Sequence, residues 1–168
     1  MKNFIVSLII LIVLLSLSTT PLIAVADNGD YIKIESDTVG FYLLEQSVMV
    51  LKFYLPEDTY VLYQSNFFEY YIVKYNHIEG AIKKAEVSST IYNNVSNPYS
   101  DTEITLNSPK HIYSDITSSP SELSLGDKLT YIGQINYEGI LWYAVKKNQV
   151  TDNIYYVKHS DVYVPAPP

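Results

Sequence analysis

Residues 70–87 read Tyr-Tyr-Ile-Val-Lys-Tyr-Asn-His-Ile-Glu-Gly-Ala-Ile-Lys-Lys-Ala-Glu-Val, and a stretch of the same design recurs at residues 142–162. Both stretches open on an aromatic residue followed by Tyr-x-Val, and both close on a lysine, two further residues, an acid and a valine. Each is preceded by a turn-like segment that starts with leucine, at Leu55 and at Leu125. Self-similarity of this kind indicates two units of one design.

The residues between the turns alternate with a period of two and are rich in tyrosine and β-branched side chains. This pattern is typical of strands with one buried face, and it puts Tyr71, Val73 and Tyr75 on one face. Clusters of Asn, Asp and Gly predict turns at residues 76–80, 136–139 and 148–153. We therefore expect an all-β fold of two small β-barrels in tandem, each with a long loop after its first strand.

The chain divides into five segments on this reading. They are a signal peptide (1–26), a first barrel (30–90), a linker (91–101), a second barrel (102–164) and a Pro-rich tail (165–168). Each barrel is near the lower size limit for a stable core without disulfides or metals. The sequence leaves open whether the two barrels pack together.

The first 26 residues have the pattern of an export signal. Lys2 gives a positive start, residues 4–17 are nearly all apolar, and Ala24-Val-Ala26 offers the small residues that a signal peptidase requires. The alternative is an uncleaved anchor, because residues 4–25 are long enough to cross a bilayer. We expect a bacterial protein that is secreted or held at the cell surface, with a membrane contact only if this segment is uncleaved.

The composition excludes several classes of function. The formal charge is −7, so binding to nucleic-acid phosphates is not expected. The chain has no cysteine, which excludes disulfides, thiolate metal sites and a cysteine nucleophile. His77, His111 and His159 show no metal-ligand spacing, and no Gly-x-Ser-x-Gly motif occurs. We expect no metal, no cofactor and no enzyme activity.

The order of these elements resembles bacterial Src-homology-3-like (SH3-like) domains of exported proteins. The matching residues are Leu55, Pro56, Tyr60, Val61, 70–73, 80–82 and 86–87 in the first copy and Ile112, Tyr113, Tyr131, Ile132, 142–145, Tyr156 and Val157 in the second. The chain departs from the family at the last hairpin, where Gly80-Ala-Ile and Tyr155-Tyr-Val replace the usual Gly-Tyr-Val. The loop between Val39 and Leu55 is unusually apolar, so it either forms its own hairpin or is a contact surface.

The resemblance implies a ligand groove lined by aromatic residues. Carried over by position, its ligand-binding residues are Tyr42 and Tyr70 in the first barrel and Tyr113 and Trp142 in the second. A period of two supports this, because Trp142 faces outward if its neighbour Tyr143 faces inward. The alternative is that Trp142 packs against the long loop or the other barrel. Because it keeps the tryptophan, the second barrel is the better candidate for binding.

The resemblance implies an accessory role without activity. We expect a non-catalytic interaction or targeting module that binds cell-wall peptidoglycan or an extended peptide, so its partner is a wall component, a peptide or a protein. The alternative is a structural module for self-association or for docking to a surface protein, with the apolar residues 41–51 as the contact. A small hydrolase or inhibitor is a third hypothesis, for which no residue pattern speaks.

Overall fold

The computed structural model describes residues 29–93, 95, 102–106, 111–123, 127–147 and 153–163. The predicted signal peptide and Pro-rich tail lie outside these residues, as does most of the predicted turn at 148–153. The described chain is nearly all strand, and its helical structure is limited to the 3₁₀ turns Lys84–Glu86 and His159–Asp161. The expected all-β class is confirmed.

The strands fall into two groups along the chain. The first half contains β1 Asp30–Lys33, β2 Gly40–Glu45, β3 Val48–Tyr54, β4 Tyr60–Phe67, β5 Tyr70–Tyr75, β6 Ile78–Lys83 and β7 Ile91–Asn93. The second contains β8 Thr102–Leu106, β9 His111–Ile112, β10 Ser121–Glu122, β11 Leu129–Tyr137, β12 Ile140–Lys147, β13 Tyr155–Lys158 and β14 Val162–Tyr163. Strand β7 is formed by the first three residues of the predicted linker.

The described strands of the two halves pair in the same way. In the first half β4, β5 and β6 pair successively and antiparallel, and β1 pairs with both β4 and β7. In the second half β11, β12 and β13 repeat the first pattern, and β8 pairs with both β11 and β14. A register shift follows Tyr63 on β4 and Tyr131 on β11. The shared register lets residues of one half be matched to those of the other.

The apolar loop between Val39 and Leu55 forms a hairpin of β2 and β3, so the first of the two sequence alternatives for it is confirmed. Gln46 and Ser47 form its turn, and both have a positive φ. Two-residue hairpin turns require this backbone conformation because its twist matches that of the flanking strands. The predicted turn at 76–80 is likewise only two residues long, Asn76 and His77, and β6 begins at Ile78.

The expected closed barrels are not formed. Strands β9 and β10 form a separate two-stranded sheet, and the other twelve described strands are joined in a continuous open sheet. Its order is β7-β1-β4-β5-β6-β2-β3-β11-β12-β13. The β2–β3 hairpin causes the difference, because its two outer edges bond to different halves. Tyr42 of β2 pairs with Ala81 of β6, whereas Tyr54 of β3 pairs with Gln134 of β11. Hydrogen bonding therefore passes from one half to the other instead of closing on itself.

The largest buried cluster contains residues of both halves. It includes Phe41, Phe53 and Tyr75 of the first half together with Trp142 and Tyr156 of the second. Tyr71 packs against the same cluster, so the predicted inward face of β5 is confirmed. A smaller cluster lies within the second half and contains Ile104, Ile112, Leu129, Val145, Val157 and Val162.

Close backbone approach between the halves depends on Gly133. A Cβ atom at this position would lie 2.3 Å from the ring of Phe53 and 2.5 Å from the backbone oxygen of Tyr54. Real Cβ contacts are not that short, so a side chain here would push β3 away from β11. Glycine therefore holds the β2–β3 hairpin against the second half.

Two hydrogen bonds add polar contacts between the halves. The ammonium group of Lys146, which is buried, donates to the backbone oxygen of Asn76 at 2.8 Å. The hydroxyl of Tyr156 donates to the backbone oxygen of Lys52 at 3.2 Å. A buried ammonium requires hydrogen-bonded partners. The two contacts therefore fix how the β5–β6 turn and strand β3 meet the second half.

Candidate functional site

The structure brings the two predicted ligand-binding residues of the first half together. The rings of Tyr42 and Tyr70 meet edge to face with centroids 5.6 Å apart. The ammonium group of Lys83 lies 5.1 Å from the centre of the Tyr42 ring. The Tyr42 hydroxyl, and then Glu86, raise the pKa of Lys83. An aromatic pair with a cation on its face is the usual geometry of a cation–π contact.

The predicted residues of the second half form the matching cluster. The rings of Tyr113 and Trp142 meet edge to face with centroids 4.9 Å apart, and the ammonium group of Lys158 lies 5.5 Å from the Trp142 ring. Trp142 is the cross-strand partner of Lys158, just as Tyr70 is the partner of Lys83. Each half therefore carries an aromatic pair capped by a lysine.

Trp142 is buried rather than outward-facing, which corrects the expectation from the period of two. Its side chain is 4% exposed and belongs to the largest buried cluster. Strand β12 is buried on both faces, because Val145 faces the core of the second half while Trp142 and Ala144 belong to the cluster shared with the first. The alternative that Trp142 packs against the rest of the fold is what the structure shows.

An open cavity of about 480 Å³ lies in the first half, beside Tyr42. Strands β2 and β6 are paired only at Tyr42 and Ala81, and beyond this pair they separate. We call the resulting cavity the β2–β6 cleft. Its lining residues are Tyr42, Leu43, Leu44, Met49, Ser65, Phe67, Ile72, Glu79, Gly80 and Ala81.

The walls of the β2–β6 cleft are apolar and reach the surface. Leu44 is 62% exposed on one side, and Phe67 is exposed on the other. The Phe67 ring is in contact with that of Phe68, which is 80% exposed. A contiguous apolar surface that ends in exposed aromatic rings is a common mark of an interaction site. Sequence reasoning chose Tyr42 as a ligand-binding residue and offered residues 41–51, which include Leu43, Leu44 and Met49, as a contact surface, but it missed the lining residues on β4, β5 and β6.

Gly80 on β6 makes room for the buried Phe41 ring beside the cleft. A Cβ atom at Gly80 would lie 2.4 Å from the Phe41 ring and 2.8 Å from the backbone oxygen of Tyr42, so packing demands glycine there. In the second half Tyr155 is opposite Val145 as Gly80 is opposite Val73. The sequence already shows this replacement of Gly80 and Ala81 by two tyrosines, and it distinguishes the second half from the first.

The open end of the cleft carries the negative charge of Glu79. Glu79 lies on β6 two residues before Ala81, on the side where the strands separate. Lys83 lies two residues after Ala81, beyond the closed end. Strand geometry separates these two positions by about 13 Å. A ligand in the cleft would therefore meet a carboxylate at the mouth and the Tyr42 ring at the inner end.

The described residues contain no group of three or more histidine, aspartate or glutamate side chains placed to hold a metal ion. Nor does this part of the chain include a helix of the length and apolar character needed to cross a membrane. Comparisons with models of protein families, with curated protein sequences and with solved structures give no match.

Proposed function

We propose that this chain is a non-catalytic, exported interaction protein of two SH3-like units that binds an extended peptide in the β2–β6 cleft. Support for the SH3-like units comes from the matching strand pairing of the two halves and from the 3₁₀ turn before each last strand. Support for export is the sequence of residues 1–26, which lies outside the described residues.

The cleft offers backbone hydrogen bonds on both of its sides. In a two-residue hairpin the residues that flank the turn bond to each other, and alternate residues point their N–H and C=O groups outward. On β2 this rule turns the backbone of Leu44 away from β3, and on β6 it turns that of Glu79 away from β5. Leu44 and Glu79 thus face the cleft without pairing with each other, and this observation carries the proposal.

An extended peptide is the ligand that suits such edges. Peptides that add to a sheet edge obtain affinity from main-chain hydrogen bonds and specificity from pockets for alternate side chains. The cleft supplies apolar walls from Leu44, Met49 and Phe67 for those side chains. The lining is mostly apolar, and a surface of this kind supports the binding of apolar side chains.

The test is retention of the protein by purified bacterial cell wall and by an immobilised library of extended peptides. The full chain, produced in an exporting host, should be retained by one of the two. Leu44→Lys should abolish retention, because it places a charge on the apolar wall of the cleft. Val48→Lys is the matched control, since Val48 is 61% exposed on the same hairpin but does not line the cleft.

The two immobilised materials, cell wall and peptide library, distinguish two sources of the peptide. Retention by the wall alone identifies a wall peptide, and retention by the library alone identifies a protein segment. If the intact protein binds neither, or if Leu44→Lys binds as well as the unchanged chain, the proposed function is wrong.

A further inference from the structure

The β2–β6 cleft is closed at one end by a pair of residues. Tyr42 of β2 and Ala81 of β6 are opposite each other in the register, and the strands separate from Leu43 and Gly80 onward. A chain that adds to both strands cannot pass this pair, because the backbones of β2 and β6 already fill the space between them. The cleft is therefore suited to the end of a peptide rather than to its middle.

Glu79 supplies the charge next to the closed end. Of the described residues that line the cleft, it alone has a side chain that is charged at neutral pH. It is next to Gly80, the first free position beyond the closed end, and one strand step is about 3.3 Å. A glutamate side chain is longer than this step, so a chain end that is bound beside Gly80 comes within reach of the carboxylate.

The carboxylate of Glu79 is available to a ligand. Its side chain is exposed, and it forms no ion pair with another described residue. In contrast, Glu45 and Glu86 each pair with a lysine. The cross-strand partner of Glu79 is Lys74, which lies on β5. Since β5 is on the opposite side of β6 from β2, a ligand between β2 and β6 approaches Glu79 from the side that faces away from this lysine.

We propose that the cleft binds the free amino terminus of an extended peptide, with the α-ammonium group beside the carboxylate of Glu79. The inference rests on the proposed peptide binding and adds which end of the peptide enters the cleft. Opposite charges at this distance attract, whereas a carboxyl terminus would meet a like charge. The net charge of −7 acts in the same direction, because it attracts cationic groups and repels anionic ones. Capture of a peptide's terminal amine is a recurring mode of recognition.

A carboxyl terminus has no comparable partner at the closed end. Lys83 lies two residues past Ala81, and the closing pair separates it from a chain that stops beside Gly80. Its ammonium group already lies 5.1 Å from the centre of the Tyr42 ring and 3.6 Å from the carboxylate of Glu86. The charges around the closed end therefore select the amino terminus.

A library of extended peptides without lysine or arginine, made in three forms, tests the inference. Attachment through the carboxyl end leaves a free amino terminus, acetylation of the same peptides removes its charge, and attachment through the amino end leaves a free carboxylate. The full chain should be retained by the first form, and acetylation should weaken retention by about tenfold or more, as expected for a hydrogen bond to a charged group. Retention should also fall above about pH 8, where an α-ammonium group loses its proton.

Two variants of equal net charge locate the partner of the amine. Glu79→Gln keeps the shape of the side chain and removes its charge, so it should weaken retention of the free-amine form by about tenfold. Glu122→Gln is the matched control, since Glu122 is an exposed glutamate on a strand and does not line the cleft. It should leave retention unchanged.

Equal retention of the free and acetylated forms, a preference for the free carboxylate, or equal effects of the two glutamine variants overturns the inference. If Leu44→Lys still abolishes retention in such a case, the proposed peptide binding stands and only the recognition of the amino terminus is wrong. If none of the three forms and no cell wall is retained, the proposed function and this inference fail together.

Discussion

Replacement of Trp142 by alanine should destabilise the whole protein rather than merely remove a ligand contact. The side chain is 4% exposed and lies in the cluster that contains Phe41 and Phe53 of the first half. Deleting a buried aromatic ring loses its transfer free energy and leaves a cavity, at a cost of about 3 to 5 kcal/mol. An outward tryptophan in a surface groove would instead cost about 0.5 kcal/mol or less.

The lower end of that range is the better expectation for Trp142. Its indole N–H is buried and has no hydrogen-bond acceptor among the described residues. Its removal therefore relieves a polar burial penalty of about 1 kcal/mol and offsets part of the loss. We expect a decrease of about 3 kcal/mol in the free energy of unfolding. At a urea dependence of about 2 kcal/mol per M, the midpoint should fall by about 1.5 M.

Urea unfolding followed by far-ultraviolet circular dichroism measures this decrease. Tyr137→Ala is the matched control, because it also removes an aromatic ring but from a side chain that is 41% exposed. In the unchanged protein, Trp142 is the only tryptophan, and its fluorescence should resist acrylamide quenching until the sheet unfolds. A decrease below about 1 kcal/mol, or quenching as fast as in the unfolded chain, would refute the placement of Trp142 in a shared core.

Three further changes test the contacts between the halves and the buried tyrosines. Gly133→Ala should lower stability by about 2 to 3 kcal/mol in the same urea assay, because the new Cβ overlaps β3. Lys146→Met should lower the free energy of unfolding by about 1 to 3 kcal/mol, because the hydrogen bond to Asn76 is lost. Lys147→Met, which removes only the more exposed ion pair with Asp127, should lower it by less than about 1 kcal/mol. Burial raises the pKa of Tyr131 to about 12, above its usual 10.0, so stability should fall as pH rises from about 10. Tyr131→Phe should lessen that fall between about pH 10 and 12, read from urea midpoints.

The local elements of this fold were accessible from sequence because short-range rules determine them. Alternation with a period of two located the strands around Val73 and Val145, and Asn and Gly located the turns at Asn76 and Gly139. The apolar loop was correctly given a hairpin as one of two alternatives, because it is unusually apolar on both sides of the polar residues Glu45, Gln46 and Ser47. Each of these inferences needs only residues within about ten positions of one another.

The faces of the strands could not be predicted in the same way. Alternation shows which residues share a face, but it does not show that both faces are covered when another part of the chain packs on the second one. Trp142 and Lys146 share a face of β12, and both are buried, Lys146 against Asn76 of the first half and Trp142 in the cluster that the two halves share. Gly80 was read as a turn residue, whereas it lies inside β6, where the distant Phe41 ring leaves no room for a side chain. These misses all arise from contacts between segments far apart in sequence.

The β2–β3 hairpin forms one wall of the proposed cleft, through Leu43, Leu44 and Met49. Its position is set by the second half, through the pairing of Tyr54 with Gln134 and the packing of Phe53 on Gly133. In the second half Tyr155 and Tyr156 take the register positions of Gly80 and Ala81, and the hollow beside Tyr156 is smaller, about 200 Å³, and is bordered by Leu43, Glu45 and Lys52 of the β2–β3 hairpin. One half therefore presents the binding hairpin, and the other holds it in place. A substitution such as Gly133→Ala should then weaken peptide retention without touching the ligand, because it shifts the wall that bears Leu44.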